Sequence, residues 1–436
     1  MSKSNALRKA SQWILPLLLV IYAGYRFRHY QQEKSLLKLD DKTVTIPDCP
    51  PAPKDDSATL VAALKKVEAA RREASKQTFA EVAFENQDYL STISALQALQ
   101  KLQPRLDAHQ KRLMGYSMKE CGLAKLALPL LREALQEDIR NATAYVALSQ
   151  CLSRLVRNGE SVDILNQGAR NLDMADIKGR AELAQEYEMH AEWDKALEQH
   201  QEAFAHSQDS PDVGVMLARA LQNSLKVSES QRFLEDLALR HPTHGGVQRE
   251  LGFVLNSYQR KDRNAKLAEH HYLKAVALDP KDILAWRLLG DLYVEANRIR
   301  AAAYAYARLL QLDRYNIARM ALARCYGYLG LDASKVVSFN PRELGIRDQA
   351  EYFMRTMRYT NPNSAKSLLQ LPRHYIKYRQ YIKGFHSLQS LYLPYQKMPE
   401  ISGEIVALYK NLRLPPPALP APITIGAATA RTAGGL

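Results

Sequence analysis

Apolar positions along the middle of the chain recur with a helical period, and the helices they predict come in pairs. The pairing is plainest from Ile283 to Arg314. Trp286, Leu289, Gly290 and Tyr293 stand at i, i+3, i+4 and i+7, which puts them on one face of a helix. A polar turn, Glu295 to Arg300, leads to a second stripe in which Ala302, Tyr306 and Leu309 recur. Gly290 and Ala302 are small where two helix backbones have to approach closely.

The same alternation returns in both directions. Hairpins are predicted to begin at Glu73, Ala108, Ala142, Ile177, Pro211, Gly245, Ile283 and Ile317, at intervals of 34 or 35 residues with a single 38. The long interval is assigned to a polar insertion around Gln259 to Asn264. First helices carry a large residue followed by a small one, as in Met114-Gly115, Leu148-Ser149, Leu183-Ala184 and Leu251-Gly252. Second helices carry a small residue and, four later, a large one: Ala127 and Leu131, Ser161 and Leu165, Ser230 and Leu234, Ala268 and Tyr272. Ala196 with His200 departs from this. Small opposite large is what close packing of neighbouring helices demands.

This resembles the tetratricopeptide repeat family, whose unit of about 34 residues follows the pattern W-x2-L-G-x2-Y…A-x3-[FY]. The resemblance covers Glu73 to Leu331; Arg314 stands where the closing proline is expected. It implies an all-α, right-handed α-solenoid of helix hairpins, seven to eight units over residues 73–337. It also implies a concave side lined by first helices that receives a protein or peptide segment. Carried onto this sequence, the partner groove would comprise Gln150, Arg154, Gln185, Arg219, Gln222, Asn223, Arg249, Asn256, Arg287 and Asp291. The Lys/Asn set with which some members clamp a chaperone's terminal carboxylate does not recur. Residues 57–72, with Leu60, Leu64 and Val67 on one face, are predicted to form a leading helix over the open end of the array.

The two ends differ from the middle. Residues 1–12 are basic, and Trp13 to Tyr25 is an uncharged, largely apolar run closed by Arg26 and Arg28. An uncleaved transmembrane anchor over 13–27 is expected, in a bacterial inner membrane or, alternatively, an organelle membrane. The competing cleaved signal peptide is disfavoured because basic residues follow the apolar run. Residues 28–56 form a Pro-containing juxtamembrane linker, expected to act as a stiff spacer. Residues 338–413 hold twelve Lys/Arg against five Asp/Glu, interleaved with tyrosines. Helices are predicted there at Arg347–Tyr359, Pro372–Gly384 and Ile401–Leu412, and the Pro/Ala/Gly-rich 414–436 is expected to be a disordered tail. Three readings of 338–413 stay open: a cap packed on the last repeat, a surface for an acidic partner or anionic lipid, and, least favoured, a nucleic-acid binder.

The net charge of +14 therefore sits mostly at the ends, around a nearly neutral middle. Cys49, Cys121, Cys151 and Cys325 have no metal-ligand spacing. No phosphate loop, dinucleotide fingerprint or zinc-protease motif occurs, and no catalytic residues, cofactor or metal are expected. Glu182 to Glu188 reads as surface charge, and His270-His271 as a solvated pair. The function expected is a membrane-tethered interaction scaffold or assembly factor, of a bacterial cell envelope machinery for secretion, pili or polysaccharide. The alternative is a peripheral lipid- or nucleic-acid-binding protein acting through 338–413.

Overall fold

A computed structural model describes residues 37, 39–48, 56–103, 105–257, 264–312, 317–332, 336, 354, 364–378 and 380–421. The expected anchor at 13–27, residues 259–263 of the insertion, the tail beyond 421 and all but residue 354 of the helix expected at Arg347–Tyr359 lie outside these. Among the described residues all regular structure is helical, and none of those helices is long and apolar enough to cross a membrane.

The chain forms two compact units, Ala52–Ser224 with Phe339–Leu436, and Met1–Pro51 with Leu225–Ser338. The larger unit opens with α1 (Ser57–Glu73) and continues through four hairpins. These are α2 (Lys76–Glu85) with α3 (Tyr89–Gln100), and α4 (Ala108–Glu120) with α5 (Ala124–Glu137). Next come α6 (Ala142–Arg154) with α7 (Asn158–Asn171), and α8 (Ile177–Met189) with α9 (Trp193–Ala205); α10 (Pro211–Asn223) follows. The smaller unit holds α11 (Val227–Arg240), α12 (Gly245–Leu255), α13 (Ala265–Leu278), α14 (Ile283–Glu295), α15 (Ile299–Leu312) and α16 (Ile317–Tyr328). The array expected over 73–337 is thus divided, and the fifth expected hairpin, α10 and α11, is shared between the units.

Seven of the eight predicted starts coincide with first-helix starts, and local chemistry explains why. Asp107, Asn141, Asp176 and Asp282 each precede a first helix and accept a hydrogen bond from a first-turn N–H, satisfying a donor the helix itself leaves open. Asp107 and Gln110 complete a reciprocal capping box. The exception is Glu73, which ends α1. Ser75 caps the next helix by accepting from Thr78 N at 3.2 Å, so the first hairpin begins at Lys76.

Within hairpins the small residues sit where the pattern places them. A Cβ added at Gly290 would lie 2.5 Å from Tyr306 Cε1, inside the van der Waals contact of a buried ring. Gly290→Ala should therefore destabilise the smaller unit by about 1–3 kcal/mol, despite alanine's better helix propensity. Urea denaturation measures this. In a Tyr306→Leu background the same change should cost less, and equal costs in both backgrounds would contradict the contact.

The first-helix position held by Trp286 varies between hairpins, and five of its occupants meet a partner suited to them. Trp286 donates its indole N–H to Pro280 O at 3.0 Å. Lys111 pairs with Glu133 and Glu137 at 3.0 and 2.7 Å, and Tyr145 accepts from Asn171. Arg180 donates to Gln199, to Glu202 and to the carbonyls of Leu172 and Asp173. Gln248 accepts from His271 Nδ1 at 2.9 Å. His271 is therefore not the solvated residue expected: it is packed on Gln248, and burial pushes its imidazole down to about 4.

The described C-terminal helices belong to the larger unit and pack beside its first helices. α17 (Ala365–Leu368), α18 (Gln370–Lys377), α19 (Tyr381–Tyr392) and α20 (Pro399–Asn411) join the core of the larger unit, beside α1, α2 and α3. Leu388, Leu391, Ile401, Ile405 and Leu408 are buried in the same cluster as Leu64, Ala83, Leu90 and Ile93. Gln389 accepts from Leu90 N at 3.2 Å and donates to Gln87 O at 3.0 Å. The tyrosine of α20, Tyr409, donates to the buried Asp88 at 3.4 Å, and burial raises the Asp88 carboxyl despite its hydrogen bonds from Ser91. α1 is accordingly covered by α19 rather than closing the array alone.

The helix expected over Pro372–Gly384 is broken between Lys377 and Tyr381. Asp56 stabilises the break from across the chain, accepting from Tyr381 N and from Ile382 N at the start of α19. The first part of the expected disordered tail is also packed. Leu414, Ala418 and Leu419 lie on the apolar cluster, and the Gln97 amide makes both hydrogen bonds to the Ala421 backbone.

The described part of the expected linker is likewise not a free spacer. Leu39 is buried, and its carbonyl accepts from Arg298 in the smaller unit. Asp41 accepts from Ala301 N at 2.9 Å, capping α15 from a distant part of the chain.

Candidate functional site: an acidic groove in the larger unit

A concave groove of about 1620 Å³ lies in the larger unit, lined by residues of α4 and α6 to α10. First helices supply much of the wall: Tyr116 from α4, Val146 and Gln150 from α6, Glu182, Gln185 and Met189 from α8. Asp163 and Asn166 come from α7, and Trp193 from the start of α9. Met189 and Trp193 are 81% and 40% exposed, so the groove carries apolar surface open to solvent.

A network of charged and polar groups fixes one wall. Lys119 is fully buried, pairs with Glu120 at 2.8 Å, lies 3.8 Å from the centre of the Tyr116 ring and donates to Gln150. Burial lowers its ammonium below the usual range, with Glu120 opposing that shift. Burial would raise the Glu120 carboxyl, but Lys119 and Arg154 outweigh it and hold it down. Arg154 meets Glu120 at 3.3 Å and donates to Lys119 O.

Beside it, Ser149, Ser153 and Ser161 converge on His190 Nε2 at 3.4, 3.1 and 2.9 Å. A serine within reach of an imidazole is the raw material of nucleophilic catalysis. Here Ser161 is fully buried, and the nearby carboxylate, Glu186, approaches the same ring nitrogen at 3.7 Å instead of Nδ1. The cluster is a hydrogen-bonded seam joining α6, α7 and α8. Ser149 and Ser161, 2.7 Å apart, occupy the small-residue positions where helix backbones meet.

Of the ten residues expected to line a groove, Gln150, Arg154, Gln185 and Asn223 do so. Gln150 is committed to Lys119 and to Glu186, donating to the latter at 2.8 Å, and Arg154 is committed to Glu120. Gln185 and Asn223 are exposed on the wall. Arg219 is exposed and Gln222 buried on α10, and neither lines the groove. Arg249, Asn256, Arg287 and Asp291 belong to the smaller unit. Arg249 is held by Asp282 and by Glu250 at 3.3 Å, Asn256 ends α12, and Asp291 accepts from Tyr306 at 2.7 Å and lies 3.8 Å from Arg287.

The acids of the groove are not marked as such in the sequence. Glu186 is buried and held by Gln150 and His190, so it is not the surface charge its spacing suggested. The i, i+4 pattern of acids on α8 equally fits a helix whose acidic face lines a cavity. The basic C-terminal segment also differs from expectation. Tyr375 and Tyr409 are buried in the larger unit, and Tyr378, Tyr381, Tyr392 and Tyr395 are half-buried, so these rings serve packing at least in part.

No protein-family model and no curated protein matches the sequence. Solved structures do resemble the fold. A tetratricopeptide repeat protein from Parabacteroides merdae is 13% identical, covering 60% of this chain and 99% of its own, with a TM-score of 0.42. The C-terminal part of a repeat-containing protein from Cytophaga hutchinsonii is 14% identical over 56% of this chain and 98% of its own, at 0.38. Pseudomonas aeruginosa pilF is 14% identical over 63% and 96%, at 0.33. The hairpins described above, with their period and their small-against-large seams, are of the tetratricopeptide type.

Proposed function

We propose that this chain is a membrane-tethered scaffold that assembles a multi-protein complex, holding an extended segment of a partner in the groove of its larger unit. The observation that carries this reading is the groove itself. Exposed Trp193 and Met189 offer an apolar anchor site, and Gln185, Asn166 and Asn223 offer side-chain amides to a peptide backbone. The tether is supported by the uncharged run Trp13 to Tyr25 between basic flanks. A single anchor ahead of an interaction array suits a bacterial envelope machinery for secretion, pili or polysaccharide, and that is the setting we assign.

Affinity capture from detergent-solubilised membranes tests the reading. The full chain should retain a set of proteins that the Trp193→Ala, Gln185→Ala variant loses, while Arg287→Glu in the smaller unit keeps it. An identical set from all three would sink the groove as the binding site. The full chain should also stay with membranes through an alkaline wash, and a chain lacking residues 1–27 should not.

A further inference from the structure

The charge of the groove is opposite to that of the molecule. The chain as a whole carries +14, yet the groove is lined by Asp163, Glu182, Glu186, Glu188 and Glu192 against only Arg154 and Lys195. Some of this charge is answered internally. Glu186 is held by Gln150 and His190, and Glu192 meets Lys195 at 3.1 Å. Arg154 is spent on Glu120, which leaves it little capacity for the rest. Asp163, exposed on α7, has no ion pair among the described residues. Glu182 accepts a neutral hydrogen bond from Thr143 at 3.0 Å, and its cation among the described residues is the exposed amine of Lys178 at 3.9 Å; Glu188 meets the imidazole of His200 at 3.6 Å. Three under-compensated carboxylates therefore border the same concave surface as the exposed Met189 and Trp193.

Resting on the scaffold reading above, we infer that the segment this groove receives is basic: an extended stretch of a partner protein with Lys or Arg side chains flanking an aliphatic or aromatic anchor. The anchor covers Met189 and Trp193. The cations answer Asp163, Glu182 and Glu188, and the backbone is engaged by the amide of Gln185 and by Nδ2 of Asn166, whose Oδ1 accepts from Tyr187 at 3.0 Å. Bringing positive charge to a concave, negatively charged site is favourable, whereas an acidic segment would add repulsion. The same field repels acidic segments by design of its own lining, which is how a groove of this kind discriminates.

Three labelled peptides of equal length test this on the full chain in detergent. They share one apolar core containing leucine and tryptophan and carry Lys, Gln or Glu at the remaining positions. The Lys peptide should bind at least about tenfold tighter than the Gln peptide at low salt, with the difference shrinking as salt rises, and the Glu peptide should bind weakest. Asp163→Asn, Glu182→Gln and Glu188→Gln combined should remove most of that tenfold preference while leaving the fold intact by circular dichroism. If the Gln or Glu peptide binds best, still sensitive to Trp193→Ala, the groove binds segments but the inference about charge is overturned. If no peptide responds to Trp193→Ala, the scaffold reading itself fails. If a peptide of residues 338–363 from this chain displaces the Lys peptide at lower concentration than any foreign sequence, the occupant is the chain itself and the partner proposed here is overturned.

Discussion

A chain ended before Ser364 should lose the structure of its first hairpins, with protease cleavage appearing between residues 56 and 140. The helices removed are part of the core there. Leu388, Leu391, Ile401, Ile405 and Leu408 are buried against residues of α1 to α3, and each is worth roughly 1.5–3 kcal/mol of burial. Together they contribute roughly 7.5–15 kcal/mol, comparable to the roughly 5–15 kcal/mol by which ordinary domains are stable. The truncation also strips polar partners, leaving the buried Asp88 without Tyr409 and the N–H of Leu90 without Gln389. A milder version of the same test is Leu388→Ala, expected to cost about 2–5 kcal/mol in a denaturation curve of the full chain. First hairpins that stay helical and protease-resistant in the truncated chain would refute the arrangement.

Arg180→Ala should be among the most costly single substitutions in the larger unit, at about 3–5 kcal/mol. The side chain is 1% exposed and donates to Gln199, Glu202 and two backbone carbonyls. Alanine removes the donor and leaves those acceptors behind, and an unpaired buried acceptor costs more than the bond was worth. Arg180→Met, which fills the space without the charge, should recover part of the loss. Equal stability of the wild type and Arg180→Ala by urea denaturation would mean that the network is ornamental.

The repeats were legible in the sequence because their signals are local. An Asp or Asn before an apolar run, and a small residue opposite a large one, act within a few residues or one hairpin. Glu73 departs from the period for a local reason too, since the Ser75 cap sets the start of the first hairpin at Lys76. The position of Trp286 shows a subtler limit. A pattern search asks for an aromatic there, and Lys111 and Arg180 look like mismatches until carboxylates from the adjoining helix are seen to meet them.

What could not be read was non-local. Nothing in the composition of 364–421 tells which end of the array it covers, because an amphipathic helix fits any apolar face of the right width. The groove was half legible. The family resemblance implies a wall of first-helix residues, and Gln150, Arg154, Gln185 and Asn223 line this groove. Its sign was not legible, because Glu182 to Glu188 looked like solvated charge and the candidate arginines turned out to be paired or elsewhere.

The hydrogen bond between Leu90 and Gln389 joins residues 299 positions apart. Helical repeat arrays ordinarily assemble from neighbour to neighbour, so early units fold while later ones are still being made. Here the earliest hairpins lack part of their core until almost the entire chain exists. At about 5–20 residues per second, roughly 15–60 s separate the synthesis of Leu90 from that of its partner. For that interval α1 to α3 present unclosed apolar surface to the ribosome's surroundings. The nascent chain should therefore be a heavy client of holding chaperones, out of proportion to its all-helical fold.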